Sequence, residues 1–178
     1  MRIKLKQDKD AVMQVLRSDD VEKKLKLLER IDGVDDKESI KILMKMLEDN
    51  SWVMRERAAR RLAGFGSRVC SRLERLLKKG FWYTRASACL ALGEIGDVQT
   101  IDAIIAVLLT DENPTVLKEA SSALANIARK KPDKFCDRLN SLDLGPDDLR
   151  SVMLALEKCD PAVHNGVKNL NKDGRAGL

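Results

Sequence analysis

The side chains best equipped for chemistry are few and scattered along this sequence. His164 is the one histidine, and the four cysteines, Cys70, Cys89, Cys136 and Cys159, stand far apart. No Cys-x-x-Cys pair occurs, so neither a disulfide framework nor a zinc site is indicated, and buried apolar cysteines are the expectation. There is no Gly-x-Ser-x-Gly elbow, no His-containing triad and no Walker-type loop. Gly64-Phe65-Gly66 has the spacing of part of a phosphate loop, but it falls at a helix C-terminus. The partial charge there is negative, the wrong end for an anion. No catalytic residue, metal ligand or cofactor site is assigned, and the chain reads as a non-enzyme.

What remains is charge and aromatic surface. Between Ser51 and Arg85 stand ten basic residues, Arg55, Arg57, Arg60, Arg61, Arg68, Arg72, Arg75, Lys78, Lys79 and Arg85, opposed only by Glu56 and Glu74. The whole chain carries +5, so this one stretch holds the basicity and the remainder is net acidic. Most of it is arginine, whose planar fork suits carboxylates and phosphates. Arg68, Arg72, Arg75 and Lys79 recur at helical spacing as one stripe. Arg57 and Arg60 point away from the apolar face of a neighbouring helix. Trp52 and Trp82, with Tyr83, are the aromatics within this stretch able to stack on a ligand. The candidate binding surface is therefore Trp52, Arg55, Arg57, Arg60, Arg68, Arg72, Arg75, Lys79, Trp82, Tyr83 and Arg85. Three readings of it stay open: a solvated face offset by acidic neighbours, a dock for an acidic protein, and a polyanion site. Arg61 replaces the alanine found at Ala91, Ala123 and Ala155, and reads as an edge or salt-bridged residue because a fully buried charge is costly.

These residues are positioned by an internal repeat. Val116-Leu117-Lys118-Glu119-Ala120-Ser121-Ser122-Ala123-Leu124 align, shifted back by 32, on Thr84-Arg85-Ala86-Ser87-Ala88-Cys89-Leu90-Ala91-Leu92. A further shift of 30 reaches Met54 to Leu62, and weaker copies lie near Leu149–Cys159 and Val21–Ile31. The marker leucines Leu28, Leu62, Leu92, Leu124 and Leu156 follow at steps of 34, 30, 32 and 32. Within a unit Thr84, Ala88, Ala91, Leu92 and Ile95 share one helical face. Small residues permit close helix approach, so Ala58, Ala88 and Ala120 are expected at contacts between repeats. Gly66 and Gly96 suit left-handed helix caps, and Asn113 with Pro114 suits a helix start.

A first amphipathic helix precedes each of these, over about residues 10–17, 37–48, 67–79, 100–109 and 132–141. Neither helix of a pair can bury its apolar face alone, so the pairs must stack. The expectation is an all-α, right-handed α-solenoid of about five antiparallel helix pairs. It forms one domain with repeats near residues 8–34, 37–66, 67–96, 98–129 and 132–160, and a short last helix from Pro161 to Leu170 before a loose tail. No apolar run approaches the ~20 residues of a membrane span, and the start at Met1-Arg2-Ile3-Lys4 lacks a signal-peptide core. The chain is expected in the cytoplasm, as a capped monomer.

The pattern Asp-x-Asn-Pro-x-Val-Leu-x-x-Ala-x-x-Ala-Leu from Asp111 to Leu124, with its Arg variants at Arg55 and Arg85, resembles HEAT repeats, closest to the short phycobilisome-lyase HEAT-like kind. The resemblance spans about residues 20–160 and implies a scaffold whose second helices line the concave face. In repeats of this kind a tryptophan often begins the second helix, covering the turn between layers, which is the alternative to a ligand-contacting role for Trp52 and Trp82. Deoxyhypusine hydroxylases hold iron on such repeats through several His-Glu pairs, which one histidine cannot supply. HEAT-like alkylpurine DNA glycosylases use tryptophans, an acid and basic residues in the concave groove, and no motif here assigns the acid. The expected function is a non-enzymatic scaffold or adaptor that docks a protein partner. The alternative is nucleic-acid binding through the arginine-rich segment of the second and third repeats.

Overall fold

A computed structural model describes residues 9–31 and 36–175. Among the described residues there are eleven α-helices and no strand. They are α1 (Lys9–Arg17), α2 (Val21–Arg30), α3 (Asp36–Met46), α4 (Trp52–Ala63), α5 (Cys70–Lys79), α6 (Trp82–Ile95), α7 (Ile101–Thr110), α8 (Pro114–Lys130), α9 (Pro132–Ser141), α10 (Pro146–Cys159) and α11 (Pro161–Arg175). Short 3₁₀ turns, Gly66–Val69 and Val98–Thr100, lead into α5 and α7.

Local chemistry sets the boundaries. Each of the four prolines opens a helix, at Pro114, Pro132, Pro146 and Pro161, where the missing N–H has no partner to lose. The Asn113 side chain caps α8 by accepting from the N–H groups of Thr115 and Val116, at 3.0 and 3.3 Å. Asp20 caps α2 in the same way through Lys23 N. Gly96 ends α6 at φ 69°, the left-handed cap expected of it. Gly66 also has positive φ, but it opens the 3₁₀ turn, because α4 already ends in a right-handed cap at Gly64.

The even-numbered helices from α2 to α10 pack successively on one another as one layer. Helices α5, α7 and α9 form a second layer, and α11 packs across α8, α9 and α10 to cover the C-terminal end. The marker leucines Leu62, Leu92, Leu124 and Leu156 are fully buried and Leu28 nearly so. Each contributes about 1.5–3 kcal/mol by leaving water. Ala58, Ala88 and Ala120 are wholly buried in the even-numbered layer, as the repeat predicts. A further close approach lies at Gly93 of α6. A Cβ built there would meet the Ala123 Cα of α8 at 2.6 Å. Helix α6, flanked by α4 and α8 with α5 beneath, is the least amphipathic of the series because it is covered on most sides.

Two further expectations change. Cys70, Cys89 and Cys136 are buried as predicted, but Cys159 is exposed, at the end of α10 beside the Ser122 hydroxyl. The last helix continues past Leu170 to Arg175, and the predicted tail beyond it lies outside the described residues.

Candidate binding surface

Ion pairs between successive repeats consume part of the charge. Lys24 of α2 reaches Asp49, in the turn before α4, at 2.5 Å, with both side chains buried. Asp49 also accepts from Ser51 N and so fixes the start of α4. Arg85 of α6 does the corresponding work two repeats on, gripping Asp111 through Nε at 2.5 Å and Nη2 at 2.9 Å. That bond holds the Asp111 carboxyl below the usual range, with burial opposing it. Asp111 in turn accepts from Asn113 N, the cap of α8. Arg138 pairs with Asp102, and Arg129 with Asp160.

The predicted surface residues divide between buried, paired and free side chains. Arg55, expected on the surface, is instead buried at 6% exposure. Its Nη1 donates to the carbonyls of Asp49 and Asn50, and its guanidinium lies 5.5 Å from the Trp52 ring and 5.1 Å from the Tyr83 ring. Loss of hydration lowers its pKa, while Asp49 raises it. Arg85 is half-buried and committed to Asp111. Arg60 pairs with Glu56 along α4, and Arg68 with Asp36 of α3. Arg61 donates to the carbonyl of Leu28 at 2.7 Å, the edge role expected of it. Arg57, Arg72, Arg75, Lys78 and Lys79 are exposed and make no ion pair among the described residues.

The structure brings together something composition understated. Six large apolar residues are exposed among those described, and four of them, Trp52, Val53, Phe81 and Trp82, stand at the N-terminal ends of α4 and α6. Phe81 is 70% exposed, Trp82 45% and Trp52 40%. Phe81 stacks on Tyr83 at 5.6 Å between centroids, and Trp82 meets Tyr83 edge-on at the same distance. Phe81 was absent from the predicted surface. Its signal was position: it is the N-cap of α6, a place where polar residues normally stand. Beside this corner opens a groove of about 920 Å³ lined by Phe81, Trp82, Arg85, Ala106, Asp111 and Pro114. A second groove of about 570 Å³ runs between α8 and α10, past Lys118, Leu154 and Cys159.

Glu119 of α8 is the charge on which burial acts most plainly in the other direction. Desolvation pushes its carboxyl up, Lys118 opposes this, and the nearby Glu56 of α4 adds to it. Among the described residues no group of three or more His, Cys, Asp or Glu could hold a metal, and no helix is long and apolar enough to cross a membrane.

Helical hairpins stacked in two layers, with interhelical ion pairs joining neighbours, define an α-solenoid. The profile of HEAT repeats matches residues 10–80 and 71–157, and the chain belongs to the HEAT-repeat family. It is also similar to AP-1 complex subunit beta-1 of Mus musculus and of Homo sapiens, each 29% identical over 98 residues. The match covers 51% of this chain and 10% of each relative, so the chain spans about a tenth of the length of these curated relatives.

Proposed function

We propose that this protein is a non-catalytic scaffold or adaptor that docks a protein partner on its even-numbered helices, with the corner formed by Trp52, Phe81 and Trp82 as the anchor. The observation that carries this reading is the clustering of exposed aromatics at two successive helix starts, beside a groove. Solvent-facing aromatic side chains gathered in one place are the usual energetic centre of a protein interface. Similarity to a subunit of a complex named AP-1 supports a part in an assembly. The stack is read as a right-handed superhelix of about five helix pairs, acting as a cytosolic monomer, and the helix α11 laid over its C-terminal end supports the capped form.

Affinity capture with the wild-type chain and with a Phe81→Ser/Trp82→Ser variant tests the reading. A partner retained by the first and lost by the second, with both chains folded, is the expected result. An unchanged set of captured proteins would sink it.

A second reading has its own observation. Arg72, Arg75, Lys78 and Lys79 give α5 a row of cations without ion-pair partners, suited to a polyanion such as nucleic acid. Anisotropy against duplex DNA, single-stranded DNA and RNA would then show binding that falls steeply with salt, through counterion release. Retained binding by an Arg68→Glu/Arg72→Glu/Arg75→Glu variant would refute it.

A further inference from the structure

Arg55 and Arg85 occupy the same place in successive repeats, four residues after the N-caps Ser51 and Phe81. Each donates Nη1 at 2.9 Å to the carbonyl five residues earlier, Asn50 for the first and Gly80 for the second. They differ in what the following repeat offers. Arg85 receives the Asp111 carboxylate across its Nε–Nη2 edge. The turn facing Arg55 is Gly80-Phe81, one residue shorter than Asp111-Glu112-Asn113, and contains no carboxylate. The following repeat contributes the Tyr83 ring instead, and Arg55 Nε is left buried with no hydrogen-bond partner. An orphaned donor on a guanidinium at 6% exposure is costly, and a two-oxygen acceptor on that edge would remove the cost.

We propose that Arg55 is an arginine fork awaiting a carboxylate from outside, and that the corner between α4 and α6 takes an Asp or Glu side chain from an acidic, apolar-flanked segment of a partner protein. The inference rests on the docking reading above and gives its partner a chemistry. Lys78, which lines the adjoining groove, and its neighbour Lys79, both exposed and without ion pairs among the described residues, favour an acidic segment, while Trp52, Phe81 and Trp82 cover the apolar neighbours of the incoming carboxylate. A planar carboxylate can meet the flat Nε–Nη2 edge at two points, as Asp111 does on Arg85. At 6% exposure the guanidinium edge is covered, so entry requires the side chains packed over Arg55 to shift.

The chain's two tryptophans both lie at this corner, so their emission reports occupancy directly. The probe is a twelve-residue peptide of alternating Glu and Leu, with a Gln-for-Glu peptide as control. The Glu peptide is expected to change the emission saturably, and the Gln peptide to bind at least tenfold more weakly. In nitrogen-15 spectra of the full-length chain, the Arg55 Nε–H proton, assigned with Arg55→Lys, should lie upfield of that of Arg85. Saturation with the Glu peptide should move it downfield toward the Arg85 position. Equal affinity for the two peptides, no binding of either, or an unmoved Arg55 signal at saturation would overturn the inference. None of these results touches the scaffold reading, whose failure shows as partner capture indifferent to changes at Phe81 and Trp82.

Discussion

Arg85 and Asp111 join successive repeats through a two-point contact, Nε and Nη2 at 2.5 and 2.9 Å, and Asp111 then anchors the cap of α8 through Asn113 N. Replacing Asp111 by Ala leaves a half-buried guanidinium edge unpaired and the α8 cap unsupported. A loss of about 2–3 kcal/mol in urea unfolding is expected.

The same pair fixes a pH dependence. The folded-state Asp111 carboxyl lies below its ordinary value, chiefly through the Arg85 bond. Its contribution is therefore complete above the unfolded carboxylate range of about 4, and is lost as pH falls through the lower folded value. Asp111→Asn should flatten the stability curve on the acid side. Glu119 has the opposite sign, since burial raises it. Its carboxylate disfavours the folded state as pH rises from the unfolded toward the folded value, so Glu119→Gln should raise the melting temperature at neutral pH.

Gly93 and Ala123 offer a contest of magnitudes. Alanine at 93 would gain about 1 kcal/mol in helix propensity. Its Cβ would sit 2.6 Å from a backbone atom of α8, and such overpacking costs about 1–3 kcal/mol. Gly93→Ala is expected to destabilise on balance, as read by denaturant midpoint, because two helices must separate rather than one side chain rotate.

Cysteine reactivity should sort by environment. Burial pushes the Cys70 thiol up to about 11 and Cys89 up to about 12, which leaves almost no thiolate at neutral pH. Cys159 is exposed. Under native conditions a thiol-selective alkylating reagent should label Cys159 first, and the other three only after unfolding.

The repeat, the helix starts and the marker leucines were legible because side-chain periodicity and capping are local signals. Pro114, Asn113 and Gly96 each act within a few residues of themselves. Gly93 was not singled out, since its role depends on a helix 30 residues away. Arg55 was misplaced on the surface for a related reason: Tyr83 closes over it only when the next repeat stacks. Phe81 was not singled out: its one local signal is an aromatic at a helix N-cap, and its exposure shows only in the packing.

Phe81 separates binding from folding. At 70% exposure it contributes little to stability, and Phe81→Ser should stay within about 0.5 kcal/mol of the wild type while weakening partner capture.

Photocrosslinking tests the docking corner most directly. A benzophenone amino acid placed at Phe81 in one chain and at Arg72 of α5 in another is irradiated with cell extract at near-physiological salt. The scaffold reading predicts a discrete protein adduct from position 81 that position 72 does not give. An adduct from position 72 alone, or nucleic acid attached there and nothing at 81, would contradict it and make the cationic face of α5 the working surface.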